Sequence, residues 1–551
     1  MKKTLLASLV LVCFHVGVCA QAAEVPEGVH LDSRQHLVRG NGAEPSSLDP
    51  QLAQDLPGHH ILVDLFEGLV GQDAAGNVVP AGSTHWDVTT QKQENAQKDR
   101  QIYTFHLRRD AQWSDGKPVT ARDYVFGFRR AVDPELASPY GWYIAMPGVL
   151  NAKAIMAGKE PPAALGVKAL DDYTFQVTLE QPVSFFVRML AYPTTFPVPA
   201  HIVEKYGKQW ISPGKMVSNG AYVLKEWVVN EQITVARNTR YWNDKKTVIN
   251  KVTWLPLTSE TAELNRYKAG EVDMTNHTPG PQHIRALRKE IPDEIRISPQ
   301  IGTYYYTFNT RKEHFNDVRV RKALTYAIDR EAIATRVMNH GERPAIGLSP
   351  TSVAGFSGFE PEWVRMTQSE REQKARELLK EAGYGSGTKK KLSFTLLYNT
   401  DDMHKNVALA VAQMWKKVLG VEVRLQNQEW KVFLDNMQKG RFDVGRSGWL
   451  GDYNEAFTML NLMTSSNDSN YSRFSNDEYD QLLEQAMLEV DDSKRKKIYG
   501  QAERILSEYM PVAPIYEYVT GRLVKSHVGG YPDQNPQDTV YSKDLYIKKH
   551  S

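Results

Sequence analysis

The sequence predicts an α/β fold, and three consecutive stretches in its C-terminal half carry that prediction. Apolar residues alternate from Leu392 to Tyr398, as in a strand with one buried face. Residues 403–419 then place apolar side chains on one face of a helix, and Gly420 is suited to end it. A second alternating run, Val421 to Leu425, completes a strand–helix–strand unit, which is typical of α/β domains.

Two flanking helices have start signals of their own. Thr367 and Glu370 form a capping-box pattern that opens a helix ending near Gly383. Ser475 and Glu478 repeat this pattern before a second apolar helical run. Ligands of α/β sheets commonly bind in a crevice between lobes, so we expect the functional site in such a crevice.

The first 22 residues have the pattern of an export signal, since two lysines precede the apolar run Leu5 to Val18. Small residues at Ala20 to Ala22 favour cleavage before Ala23. The apolar run is shorter than the roughly 20 residues that span a bilayer. We therefore expect a protein exported by a cleaved signal peptide, without direct membrane insertion.

The positions of the cysteines and the charge balance limit the classes of partner and anchor that we expect. Cys13 and Cys19 both lie in the signal, and bulky Val18 disfavours a lipid anchor at Cys19. The mature chain would then contain no cysteine, and its stability would depend on its core. The 67 basic residues exceed the 65 acidic ones only by the two signal lysines, Lys2 and Lys3. A balanced charge gives no reason to expect nucleic acid as a partner.

Signatures of catalysis are missing from the sequence. It contains no Gly-x-Ser-x-Gly elbow, no phosphate-binding loop and no His-Glu-x-x-His pattern. Ser114 and Lys117 match one motif of penicillin-interacting enzymes, but its Lys-Thr-Gly companion is absent. His59 and His60 have no third ligand at metal-binding spacing. We therefore predict a binding protein and not an enzyme, with no cofactor and no metal.

Signature segments run in a fixed order along nearly the whole mature chain, and Trp113 to Asp123 is the most specific of them. They are Glu44–Pro50, Asp64–Gly68, Trp113–Asp123, Asn219–Tyr222, Arg240–Trp242, Phe315–Leu324, Ile328–Arg330, Trp449–Glu455 and Pro514–Tyr516. Together they resemble the peptide-binding branch of the bacterial extracellular solute-binding proteins, which serve ABC importers of oligopeptides and dipeptides.

This resemblance implies a periplasmic-binding-protein fold, in which two α/β lobes are joined by a hinge and an extra domain is added. We expect a signal peptide over residues 1–22, a discontinuous domain I, an extra domain II and a second lobe, domain III. Domain I would comprise 23–66, 200–301 and 520–551, domain II 67–199 and domain III 302–519.

The resemblance also implies a function. The chain would capture short peptides in the periplasm of a Gram-negative bacterium and deliver them, as a monomer, to an inner-membrane ABC permease. Asp452 matches the aspartate that pairs with the peptide's free amino group in the family. Arg446 and His404 match positive groups that relatives use for peptide carboxylates.

Further binding residues are implied for the peptide backbone and the side-chain pockets. Gly448, Leu450 and the segment Tyr304, Tyr305 and Tyr306 would supply backbone partners, while the pocket would be lined by aromatic residues. The pocket candidates are Trp430, Trp449, Tyr140 and Tyr518, together with Leu56 from the early ligand-contacting segment.

Departures from the family pattern leave the ligand open. Met338 and Met437 stand where oligopeptide-binding relatives carry basic residues, and a thioether cannot neutralise a carboxylate. Gly302 and Leu450 replace a cysteine pair that the murein-tripeptide binder also lacks, although that binder keeps the arginine at position 437. A murein tripeptide receptor is therefore the first alternative. A periplasmic chaperone-like or sensory interaction protein is the alternative from another class.

Overall fold

The computed structural model describes residues 23–93, 99–385, 391–467 and 469–550. The predicted signal peptide lies outside these residues. The strands are β1 (His36–Gly40), β2 (Val70–Gln72), β3 (Val78–Pro80), β4 (Ser83–Gln91), β5 (Arg100–Leu107), β6 (Val167–Asp171), β7 (Thr174–Leu179), β8 (Tyr222–Val228), β9 (Gln232–Arg237), β10 (Lys251–Leu255), β11 (Ile295–Phe308), β12 (Arg343–Pro344), β13 (Ser393–Asn399), β14 (Glu422–Gln428), β15 (Val444–Leu450), β16 (Val512–Leu523), β17 (Val528–Gly529) and β18 (Tyr546–Ile547).

The helices lie between groups of these strands along the chain. They are α1 (Leu56–Leu65), α2 (Ala121–Val132), α3 (Gly141–Ala145), α4 (Ala152–Met156), α5 (Phe186–Met189), α6 (Ala200–Tyr206), α7 (Glu260–Lys268), α8 (Pro281–Glu290), α9 (Val318–Tyr326), α10 (Arg330–Ala332), α11 (Gln368–Glu381), α12 (Asp402–Leu419), α13 (Trp430–Gln438), α14 (Phe457–Leu460), α15 (Asp477–Leu488) and α16 (Asp492–Tyr509). Among the described residues, no helix has both the length and the apolar character needed to cross a membrane.

Three larger sheets organise the chain, with strand orders β1-β10-β9-β8, β4-β5-β7-β6 and β12-β16-β11-β15-β13-β14. The predicted strand–helix–strand unit is confirmed as β13, α12 and β14, whose strands pair in parallel from Ser393 with Glu422 to Asn399 with Gln428. Gly420 follows α12 with a φ of 69°, as expected for a left-handed cap. This unit packs on the core of the six-stranded sheet, where Tyr304 and Tyr306 are fully buried.

The capping patterns in the sequence predict one helix start correctly and misplace another by one residue. Both hydrogen bonds of the capping box between Thr367 and Glu370 are present at the start of α11. The second predicted start is wrong by one residue, because Asn476 caps α15. Its side chain accepts a hydrogen bond from the Tyr479 backbone N–H at 2.8 Å. Asparagine is among the strongest N-cap residues, so it competes successfully with the neighbouring serine.

Two long strands cross the predicted boundaries between domains I and III. β11 and β16 pair from Ile295 with Leu523 to Thr307 with Val512, and their register shifts between Pro299 and Thr303. Two of the segments assigned to domain I are in contact, because β1 pairs in parallel with β10. The domain boundaries themselves remain a prediction.

Candidate functional site

A cleft formed by two adjoining cavities lies at the end of β15. The first has about 950 Å³ of empty volume and is lined by the start of α1, by residues 188–192 and by residues 537–539. The second has about 1550 Å³ and is lined by residues between Trp142 and Ala157 and between Thr458 and Asn467. Asp452 lines both cavities, so its carboxyl group stands where they meet.

Among the described residues, no cationic side chain is paired with the Asp452 carboxyl group. Burial raises its pKa to about 7. Within the described residues it makes no ion pair, and Arg188, a cation on the same cavity wall, is already engaged. The Arg188 guanidinium lies 2.8 Å from a Glu455 carboxylate oxygen and donates to the Asn454 carbonyl at 2.7 Å. A desolvated, unpaired carboxylate favours a cationic ligand group.

Aromatic rings form the wall beside Asp452. Tyr140 stacks on Tyr192 with ring centroids 5.1 Å apart, and Tyr143 lies 5.0 Å from Tyr192. Burial raises the pKa of all three phenols, and the Asp452 charge adds to the rise, so they remain neutral donors and apolar surfaces. Tyr140, a predicted pocket residue, lines the smaller cavity together with Asp452.

The outer edge of β15 is open beside this cleft. β13 pairs with β15 only at Val444 and Gly445, whereas β11 pairs along the whole of β15. The Gly451 N–H donates to the Ile301 carbonyl at 2.8 Å. Because hydrogen-bonded and non-hydrogen-bonded pairs alternate, Arg446, Gly448 and Leu450 direct their backbone groups away from β11. The parallel pair of Leu397 with Gly445 engages the Arg446 N–H, whereas no hydrogen bond to the backbone of Gly448 or Leu450 is present among the described residues.

The far end of this open edge carries a positive charge. The Arg446 guanidinium donates to the Tyr518 hydroxyl at 2.8 Å and lies 4.8 Å from the Tyr304 ring centroid. It forms no ion pair with any carboxylate of the described residues. His404 adds no charge, because burial first and the Arg446 charge second lower its pKa to about 4. The imidazole is therefore neutral in the empty cleft, and the role of His404 toward a peptide carboxylate stays a prediction.

The predicted backbone role of Tyr304, Tyr305 and Tyr306 is corrected. These residues pair with β15 on one side and with β16 on the other, so their backbone groups are used within the sheet. The neighbouring strand β15, in contrast, is unpaired on its outer edge beyond Gly445. The Tyr304 side chain instead packs within the sheet, where its ring centroid lies 4.7 Å from that of Tyr516.

The remaining predicted residues are placed as follows. Leu56 is 57% exposed at the first turn of α1 and lines the smaller cavity. Leu450 is 42% exposed and lines the same cavity, whereas Trp449 lines the larger one. Trp430 begins α13, and its side chain lies outside the described part of the structure.

Several lining residues could not be inferred from the sequence. Arg188, Tyr192 and Gln537 come from segments remote from Asp452 in the chain and share no motif with it. His59 also lines the smaller cavity, and burial lowers its pKa to about 4, which keeps the imidazole neutral. Chain folding alone brings these groups together.

The two methionines that depart from the family pattern are core residues. Met437 is fully buried in a small apolar cluster with Leu397 and Phe442. Met338 is 6% exposed and belongs to the core cluster that contains Tyr304. Neither methionine offers a charge to a ligand. A charged side chain at either position would need an oppositely charged partner within the core.

Met437→Arg is expected to destabilise the protein by about 3 kcal/mol or more, because it places an uncompensated charge in an apolar cluster. Thermal and urea unfolding measure the effect. The volume-conserving control Met437→Leu should cost less than about 1.5 kcal/mol. Wild-type stability of Met437→Arg would show that the site has room and a partner for the charge.

Comparison with known proteins places this geometry in a family. The model described as bacterial extracellular solute-binding proteins, family 5 Middle, matches residues 77–471. Periplasmic oligopeptide-binding protein OppA of Salmonella typhimurium is 46% identical over 549 residues, covering 100% of this chain and 99% of the relative. Periplasmic murein peptide-binding protein MppA of Escherichia coli is 47% identical over 529 residues, covering 96% of each chain.

A solved structure agrees with the sequence comparisons. The unliganded open form of the murein tripeptide binding protein MppA matches with a TM-score of 0.83 and 46% identity, covering 95% of this chain and 99% of that one. The expected mixed α/β fold with several lobes is thereby confirmed. The chain belongs to family 5 of the bacterial extracellular solute-binding proteins.

Proposed function

We propose that this chain is the substrate-binding component of an ABC importer, which captures short peptides in the periplasm and delivers them to an inner-membrane permease. The observation that carries the proposal is the open edge of β15, which has the unpaired carboxylate of Asp452 at one end and the Arg446 guanidinium at the other. A zwitterionic peptide has the complementary charges at its two ends.

The free backbone groups suggest how the peptide is held. An extended peptide that adds to the edge would pair its main chain with Gly448 and Leu450, and this recognition does not depend on side-chain identity. With its amino group at Asp452 and its carboxylate toward Arg446, the peptide would run antiparallel to β15. Six residues separate the two charges, so the span is at most about 20 Å, which fits peptides of roughly three to five residues.

The side chains of such a peptide would project into the cavities beside the edge. Both cavities are far larger than a single side chain and contain polar as well as aromatic walls, including Tyr140, Trp449 and Asn467. Water can fill the unused space and bridge to polar side chains at low cost. Broad sequence tolerance follows from this arrangement.

Binding and release would be governed by closure of the lobes. The similarity to an unliganded open form suggests that this is the open state. A peptide can drive closure only if it interacts better with the closed state, so contacts from both sides of the cleft are required. The proposed receptor performs no chemistry, acts as a monomer and reaches the periplasm through its cleaved signal peptide.

A murein peptide receptor is the second candidate, because MppA is as similar in sequence as OppA. Met437 weighs against it, since the residue at this position is fully buried and offers no cation to an additional carboxylate. The two candidates therefore differ in the ligand and not in the class of protein.

Native mass spectrometry of the protein purified from its own periplasm tests the function. A ladder of linear peptides with varied sequences would establish a general peptide receptor. A single ligand containing diaminopimelate or D-amino acids would establish a murein peptide receptor. No bound ligand, together with no thermal shift from a peptide library, would contradict peptide binding and favour an interaction protein that holds unfolded segments.

Gly448→Ala is expected to weaken peptide binding at least about tenfold, a loss of roughly 1.4 kcal/mol. A Cβ at this position would overlap the Tyr518 hydroxyl and lie 3.2 Å from Arg446 Nη2, so both side chains must move. Isothermal titration with a tripeptide measures the effect. Gly500→Ala in α16 is the control, because its Cβ would meet Ser357 at an ordinary 3.5 Å. Unchanged affinity of Gly448→Ala would show that this part of the edge does not bind the ligand.

A further inference from the structure

A cluster of three ligating side chains lies on the β4–β5 hairpin, away from the cleft. His85, Asp87 and His106 each offer one ligand atom, and these atoms all lie within 4.8 Å of one another. None of the three residues lines either cleft cavity. The geometry points to a binding site for one divalent transition-metal ion of the zinc or nickel class on this hairpin.

The sheet register brings the three side chains to one face. His85 pairs directly with His106, and Asp87 lies two residues further along β4. The register shifts between Ser83 and His85, and this irregularity places His85 opposite His106. The other face of the sheet carries the core residue Phe105, so the cluster faces solvent and an ion can enter freely.

The contacts within the cluster suit a metal site. The rings of His85 and His106 stack with centroids 4.2 Å apart, and His106 Nε2 lies 2.8 Å from an Asp87 carboxylate oxygen. The Thr84 hydroxyl lies 2.9 Å from His85 Nδ1, a contact of the kind that orients a ligating ring. Ligand atoms around a tetrahedral ion lie about 3.4 Å apart, so small rotations of exposed side chains would complete the site.

The ligand types determine which ions would bind. Two imidazoles and one carboxylate match the donors that hold zinc and related divalent ions, whereas calcium and magnesium prefer oxygen ligands alone. A bound ion would replace the hydrogen shared between His106 and Asp87, and water would occupy its remaining position.

Isothermal titration of the untagged, chelator-treated protein with zinc chloride and nickel chloride tests the site. We expect one ion per chain and at least tenfold weaker binding in His85→Ala and in His106→Ala. Asp87→Asn keeps the shape of the hairpin residue and should also weaken binding. His201→Ala is the matched control. His201 lies 2.7 Å from Asp115, but among the described residues this pair belongs to no cluster of three ligating side chains.

The outcomes separate the metal site from the cleft. Peptide affinity and circular dichroism of the hairpin variants should match those of the wild type, because the three side chains face solvent outside the cleft. Calcium chloride should give no saturable heat. Absence of saturable zinc or nickel binding, or affinity that is unchanged in both histidine variants, would overturn the proposal whatever the result with peptides.

Discussion

Asp452→Asn is expected to weaken the binding of peptides with a free amino terminus at least about a hundredfold, a loss of roughly 2.8 kcal/mol. The asparagine keeps the shape of the side chain but removes the charge that would pair with the ligand's ammonium group. The ammonium would then be desolvated without a free partner, because the other carboxylates of this cavity are already engaged. Asp55 accepts hydrogen bonds from the Ser46 and Gly58 N–H groups, and Asp538 pairs with Arg522. Isothermal titration with a tripeptide measures the change.

Two controls make this result specific. Asp435→Asn removes a carboxylate that pairs with Lys439 on the surface of α13, and it should leave peptide affinity unchanged. N-acetylation of the peptide removes the ammonium group and should weaken binding to the wild type, with little further loss in Asp452→Asn. Full additivity of the two changes would place the amino terminus elsewhere in the cleft.

The parts of the fold that the sequence predicts are those encoded within a few consecutive residues. The alternation from Leu392 to Tyr398 and the helical period after Asp402 are local patterns, and the structure has β13 and α12 at those places. The capping error at Ser475 has the same origin, since two good capping residues are adjacent and only the chain geometry selects Asn476. Local sequence patterns thus predict the presence of a helix or strand more reliably than the residues at which it begins and ends.

The site depends on long-range register, which the sequence does not display. Gly448 offers free backbone groups only because β11 takes one edge of β15 and β13 stops pairing at Gly445. The same register commits the backbone of Tyr305 to its neighbours. The resemblance points to residues of β15, and the structure determines which of them have free backbone groups. Free and hydrogen-bonded backbone groups alternate along β15. A one-residue error in the predicted register would therefore exchange the residues that are free with those that are paired.

Peptide affinity is expected to rise about tenfold per pH unit between pH 5 and pH 7. The pKa of Asp452 in the empty cleft is about 7, whereas pairing with an ammonium group would lower it. Below pH 7 the empty protein therefore holds a proton that the ligand must displace, which costs about 1.4 kcal/mol per pH unit. Above roughly pH 8 the peptide's own amino group loses its proton, and affinity should fall again.

Titration of a tripeptide at a series of pH values measures this profile, and Asp452→Asn should abolish its acidic limb. The same carboxyl group should make the stability of the ligand-free protein fall as pH rises, whereas peptide affinity rises. Its folded-state pKa lies above the unfolded value of about 3.9, so its contribution to stability is present at low pH and is lost as pH rises toward 7. The ligand-free Asp452→Asn variant should therefore melt above the wild type at pH 8 and converge with it near pH 4. A pH-independent affinity in the wild type would show that Asp452 is already ionised before the ligand arrives.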